Sequence, residues 1–170
     1  MNRQLELYKD NYLLLQNLRH PEIPEKILYD NSVFVRKQEF HITLLSLGKI
    51  ADEVNSIVRD NQKTKILKNI ENFLEKTPLD KYSITDEFRL VEKGAQKTII
   101  VMAEVRNFEK LLDNLSEEYG TIVRKPPLHI TLYTLPFDKI GVPILDSADL
   151  NKLTRPIDLK SLESFHKLTT

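Results

Sequence analysis

One block of ten residues occurs twice in this chain, and that repetition constrains the fold more than any other feature. Residues 35–44 (VRKQEFHITL) align without a gap on residues 123–132 (VRKPPLHITL). The shared tetrad His-Ile-Thr-Leu begins at His41 and again at His129, 88 residues later. One repeat pair without a third copy is not typical of a solenoid. The block therefore predicts two related halves, each containing one copy.

Each copy of the tetrad alternates polar and apolar residues with the period of a β-strand. Side chains i and i+2 of a strand point to one face, and i+1 and i+3 point to the other. The isoleucine and leucine of each tetrad are therefore expected to face the core. Packing alone gives no reason for both copies to have the same outward-facing histidine and threonine. Their repetition therefore indicates that both copies contribute to one site. Its predicted residues are His41, Thr43, His129 and Thr131, with Tyr133 continuing the second row.

Hydrophobic periodicity assigns the rest of the chain to short strands and amphipathic helices. Predicted strands cover residues 11–18, 40–47, 82–92, 97–106, 128–135, 156–159 and 161–168, and predicted helices cover 22–31, 52–76 (one helix or two), 108–119 and 147–153. The strand around Leu13 corresponds to that around Val101 under the same 88-residue shift. Each precedes a helix-like segment and a histidine strand. The sequence thus predicts two βαβ-like lobes in one domain spanning residues 1–170.

The bulk composition is that of an ordinary globular protein and excludes several chemistries. The 25 basic and 25 acidic side chains cancel, which argues against a broad nucleic-acid-coating surface but not against a small basic pocket. Without cysteine, disulfides, thiolate catalysis and Cys-ligated zinc are excluded. Residues 1–10 carry both charge signs, unlike a signal peptide, and no apolar run approaches the ~18 residues of a membrane span. We therefore expect a cytoplasmic protein without a membrane partner.

Two histidines presented with two threonines suit acid–base chemistry at a phosphate. Imidazole titrates near ~6.5, so neutral and protonated rings coexist at cellular pH. One ring could take a proton from water while the other gives a proton to the departing oxygen. Threonine hydroxyls could hydrogen-bond the non-bridging oxygens as negative charge grows. This scheme requires no metal or other cofactor.

Other side chains near the motifs are weaker candidates. Basic pairs stand at the same position in both copies of the block and could attract phosphate, although such pairs are often plain surface. An aromatic ring after the second motif could stack on a nucleic-acid base or simply pack in the core. The candidates for substrate binding are Tyr133, Arg36, Arg124 and Lys125.

The paired motifs resemble the signature of the 2H phosphoesterase superfamily, which includes 2′-5′ RNA ligase-like proteins and cyclic phosphodiesterases. Both motifs match in full, from His41 to Thr43 and from His129 to Thr131. The resemblance implies a bilobal α+β fold in which antiparallel sheets flank a central cleft. It also implies metal-independent hydrolysis of a 2′,3′-cyclic phosphate or a 2′-5′ linkage, with a nucleotide or RNA terminus as partner. By analogy, His129 would activate water and His41 would protonate the leaving oxygen.

Three other interpretations remain open from the sequence. The same residues could form a non-catalytic module that holds the terminal phosphate of a nucleotide or RNA, although a pure binder would more naturally use Arg or Lys. The duplicated strands could be only scaffold, in which case both histidines could be replaced without loss of any ligand. A dinuclear metal site is disfavoured because the chain has only four histidines and no carboxylate stands at ligand spacing from either motif.

Overall fold

The computed structural model describes residues 5–9, 11–16, 18, 22–54, 59–136 and 141–159, and this part of the chain has an α+β fold, as predicted. Its strands are β1 (Leu5–Tyr8), β2 (Tyr12–Leu15), β3 (Lys26–Tyr29), β4 (Ser32–Arg36), β5 (Ile42–Ser46), β6 (Tyr82–Lys93), β7 (Gln96–Val105), β8 (His129–Leu135) and β9 (Thr154–Ile157). Its helices are α1 (Leu47–Glu53), α2 (Arg59–Lys76), α3 (Phe108–Tyr119) and α4 (Ser147–Leu153). The predicted strand 161–168 lies outside the described residues.

The described strands form one antiparallel sheet in which the two motif strands are neighbours. Its order is β1-β2-β5-β8-β7-β6-β9, while β4 pairs with both β3 and β8. Ile42 of β5 lies opposite Ile130 of β8. The duplicated tetrads are therefore joined directly through backbone pairing.

Contacts divide the chain into two compact units, each assembled from three segments. The first comprises residues 1–16, 43–82 and 105–126, and the second comprises residues 17–42, 83–104 and 127–170. The boundary between the units falls within β5, after Ile42. His41 and His129 belong to the second unit with all of β8, whereas the rest of β5, from Thr43 onward, belongs to the first.

The first unit contains three helices whose apolar stripes are buried. Helix α3 spans the predicted residues and ends at Gly120, whose φ of 61° is the left-handed conformation expected of a C-terminal cap. It buries four apolar side chains, each worth about 1.5–3 kcal/mol of burial. These are Phe108, Leu111, Leu112 and Leu115. The stretch predicted as one helix or two contains the end of α1 and all of α2, and α2 contacts both α1 and α3.

The second unit contains the β6–β7 hairpin, as predicted, and a β3–β4 hairpin where the sequence predicted a helix over residues 22–31. The helical prediction was wrong because Ile27 and Leu28 fit a helix and a strand equally well. In the structure Ile27 pairs with Phe34, and both are buried. Asp30 and Asn31 have φ values of 50° and 55°, which a two-residue hairpin turn requires and these residue types tolerate. The segment before the first histidine strand is therefore a hairpin, whereas the segment before the second histidine strand contains a helix. The predicted βαβ repeat is absent from the described residues before the first histidine strand.

Among the described residues, no helix is both long and apolar enough to cross a membrane.

Candidate functional site

His41 stands at a change in the register of the sheet. Because β7 occupies one edge of β8, β4 and β5 share the other edge. The flanking pairs are Arg36↔Tyr133 and Ile42↔Ile130. From one pair to the other, the segment between β4 and β5 is six residues long, whereas β8 covers the same distance in three. Residues 37–41 therefore form a loop opposite two residues of β8, and the loop ends where His41 enters β5.

The motif histidines share one face of the sheet. Ile42 and Ile130 lie opposite each other, and both are buried. Neighbouring positions of a strand point to the other face. His129 and Thr131 are therefore on the face away from the isoleucines, together with His41 at the entrance to β5. The predicted alternation of the two tetrads is confirmed at these positions.

A backbone carbonyl fixes the ring of His129. Its Nδ1 lies 2.8 Å from the carbonyl oxygen of Pro127, and because a carbonyl oxygen can only accept, Nδ1 carries the proton of this hydrogen bond. Burial lowers the pKa of His129, the Pro127 hydrogen bond opposes that shift, and the charge of His41 adds to it. The neutral ring therefore presents Nε2 as a free proton acceptor.

The ring of His41 has a different environment. It is exposed, and no atom of the described residues hydrogen-bonds to it. Surrounding atoms nevertheless remove part of its hydration, which is the largest cause of its lowered pKa; the Lys37 cation lowers the pKa further and the Glu39 carboxylate raises it. Because His41 also affects the pKa of His129, the two imidazoles are electrostatically coupled.

The hydroxyl of Thr131 is confined but has no protein partner among the described residues. A Cβ added to Gly141 would come within 3.1 Å of Thr131 Oγ1. In β7, Ile100 lies opposite Thr131 and belongs to a buried apolar cluster with Val142 and Ile144. The hydroxyl is therefore bordered by an apolar wall and by the backbone of a glycine, and it remains able to bind a ligand.

Thr43, the other motif hydroxyl, is half-buried in β5. It belongs to the first unit by its contacts. Chain continuity places it one residue after Ile42, on the same face of the strand as His41.

Tyr133 is not on the face of the histidines, in contrast to the prediction from alternation. A bulge in β8 changes the register, so that Tyr133 pairs with Ile99 while Thr131 pairs with Ile100. Since β7 alternates regularly, Tyr133 lies on the opposite face from Thr131. Its ring is fully buried, its hydroxyl donates to the Pro24 carbonyl across 2.9 Å, and burial raises its pKa. This position does not leave the ring accessible for stacking on a base.

The three cations that were predicted to bind substrate differ in their contacts. The guanidinium of Arg36 donates to the carbonyl of Ile23 across 2.8 Å. In the first unit, Lys125 Nζ lies 2.7 Å from a Glu109 carboxylate oxygen, and Arg124 is exposed. Two of the three cations are therefore already held by contacts within the protein.

Two residues at this site were not assigned to it by the sequence: Pro127 orients a histidine and Gly141 borders a threonine. Lys37, whose charge acts on His41, belongs to the basic pair of the first block, which the sequence already indicated could attract phosphate. Nothing local marks Gly141, whose role comes from a contact with a distant strand. Within the described residues, no three His, Asp or Glu side chains are grouped as metal ligands would be.

No protein-family model, curated protein or solved structure matches this chain.

Proposed function

We propose that this protein is a metal-independent phosphodiesterase that hydrolyses 2′,3′-cyclic phosphates or 2′-5′ linkages of RNA ends or small nucleotides. The observation that carries the proposal is the pair of coupled imidazoles in one unit, of which one has its tautomer set by a backbone carbonyl. The resemblance of both motifs to those of 2H phosphoesterases supports the same chemistry. A cytoplasmic location and a bilobal fold with a central cleft belong to this proposal.

His129 is the general base in this mechanism. Its Nδ1 proton is engaged by Pro127, so Nε2 is the nitrogen that can accept a proton. Burial keeps the ring neutral at neutral pH by lowering its pKa. Nε2 therefore removes a proton from water as the water oxygen forms a bond to phosphorus.

His41 is the general acid. It gives its proton to the ribose oxygen as the bond between that oxygen and phosphorus breaks. One proton enters His129 and one leaves His41, so the pair returns to its starting state by exchanging a proton with solvent. The hydroxyls of Thr43 and Thr131 have no partner among the described residues, and they bind the non-bridging oxygens as their negative charge increases.

One observation favours the alternative of a phosphate-binding module without turnover. The pKa of His41 is lowered, and a general acid must be protonated before it can act. Without substrate, both rings are therefore mainly neutral at neutral pH. A module that only holds a phosphate would need neither proton transfer, so measurement of turnover separates the two functions.

The test is product formation by purified protein in EDTA. Substrates are 2′,3′-cyclic mononucleotides, RNA ending in a cyclic phosphate, and 2′-5′ oligoadenylate, with products separated by chromatography. We expect hydrolysis that falls by at least about 10² in His41→Ala and in His129→Ala, and that is unchanged in His166→Ala, which alters a histidine outside both motifs. Full activity in either motif variant would refute the two-histidine mechanism, and binding without turnover would favour the phosphate-binding module.

A further inference from the structure

Lys37 is a cation in the loop that leads to His41, and its charge acts on the ring of that histidine. It is half-buried at the start of the 37–41 loop. Its backbone N–H donates to the Leu132 carbonyl across 2.9 Å, which fixes its backbone next to the residue that follows Thr131. Within the described part of the chain, Nζ of Lys37 has neither a hydrogen-bond acceptor nor an ion-pair partner.

The equivalent lysine of the second copy has a different environment. Lys125 occupies the position of Lys37 in the repeated block. Its Nζ forms an ion pair with Glu109 at 2.7 Å. The repeated block by itself therefore allows its lysine to form an ion pair. A half-buried ammonium without a carboxylate is readily explained if an anion binds to it.

The charges around His41 favour an anion. The ionisable groups that act on it are Lys37 and Glu39 from its own loop, and His129 from β8 is coupled to it. The effect of Lys37 on His41 exceeds the opposing effect of Glu39. Lys37 therefore disfavours protonation of the ring more than Glu39 favours it, and the same cation attracts an anion such as phosphate.

We propose that Lys37 binds an anionic oxygen of the substrate phosphate, and that the bound anion allows His41 to take up the proton that it later donates. This inference rests on the proposed function, because it concerns the same phosphate and the same acid. The anion offsets the charge of Lys37 and adds a negative charge near the ring, so both changes favour imidazolium. Since linkage is reciprocal, protonation of His41 strengthens phosphate binding by the same factor.

The experiment is an NMR titration of the His41 ring protons with and without inorganic phosphate. In the wild-type protein we expect phosphate to raise the pKa of His41. Lys37→Met should start from a higher pKa without phosphate, show a smaller rise, and bind phosphate about tenfold more weakly, the loss expected of one charge-assisted hydrogen bond. Lys37→Arg should retain the rise. Lys26→Met removes an exposed lysine on β3 and should behave as wild type.

The proposal is overturned if phosphate leaves the His41 titration of the wild-type protein unchanged, or if Lys37→Met binds phosphate as tightly as wild type. Dispersed spectra of each variant verify that it is folded. Because this readout needs no turnover, it is independent of the phosphodiesterase assay. Lys37-dependent phosphate binding without hydrolysis would contradict the proposed function alone, whereas hydrolysis with an unchanged KM in Lys37→Met would contradict the role of Lys37 alone.

Discussion

His129 donates its Nδ1 proton to the carbonyl of Pro127 across 2.8 Å. His41 occupies the same position of the repeated block, where the residue corresponding to Pro127 is Glu39. Instead of a carbonyl partner, His41 has a carboxylate and a lysine that act on its pKa in opposite directions. Two rings that are followed by the same three residues therefore have different environments.

The pH dependence of hydrolysis should reflect both lowered pKa values. His129 must be neutral, so kcat/KM should fall as the pH decreases through its pKa. His41 must be protonated, so kcat/KM should fall as the pH rises through its own. Since both pKa values are lowered from 6.5, we expect a bell-shaped profile with its maximum on the acid side of about pH 6.5. A flat profile from about pH 5 to 9 with chemistry rate-limiting would contradict this assignment.

The stability of the protein should decrease on acidification because of His129. Its pKa is lower in the folded state than the ordinary value, so between these two values the unfolded chain binds more protons than the folded one. The free energy of unfolding therefore rises with pH across this window and falls as the pH is lowered through it. Urea denaturation at pH 5, 6 and 7 measures the slope (roughly the range in which histidine titrates). His129→Gln should reduce the slope, and an unchanged slope would assign the acid sensitivity to other groups.

Gly141→Ala should impair the Thr131 hydroxyl. The added Cβ would approach Oγ1 to 3.1 Å, which is close enough to displace the hydroxyl by a few tenths of an ångström. We expect kcat/KM to fall by about tenfold, because small displacements of catalytic groups are costly. The control is a double-mutant cycle with Thr131→Ala, in which the glycine substitution should have much less effect. Additive losses in the double variant would show that Gly141 acts elsewhere.

Tyr133→Phe should weaken folding and leave catalysis intact. The variant removes the hydroxyl that donates to Pro24 across 2.9 Å in a buried environment. An unpaired buried polar group costs about 1–3 kcal/mol, so the free energy of unfolding should fall by roughly that amount. Tyr8→Phe, at an exposed position, is the matched control. A large rise in KM for Tyr133→Phe at unchanged stability would instead support contact with substrate.

Local patterns were enough to predict several elements. The spacing of Leu111, Leu112 and Leu115 predicted α3, and Gly120 predicted its end. The β6–β7 hairpin followed from two strand-like segments on either side of Gly94. These elements are determined by side-chain periodicity and turn residues within a short stretch of sequence. Tertiary contacts therefore did not alter them. The β3–β4 hairpin was not predicted, because the apolar spacing of residues 22–31 suits a helix as well as a strand.

The sequence by itself determined that two His-x-Thr pairs exist and that each pair shares a strand face, because the period of a strand is a property of the backbone. Only the tertiary structure distinguished the two copies. A bulge in β8 moved Tyr133 to the other face, and the register change between β4 and β5 formed the loop of His41. Among the residues that the structure describes, Lys125 has an ion-pair partner whereas Lys37 has none. These differences arise from strand pairing and burial between distant segments of the chain. The identical residues of the repeated block contain no information about those distant contacts.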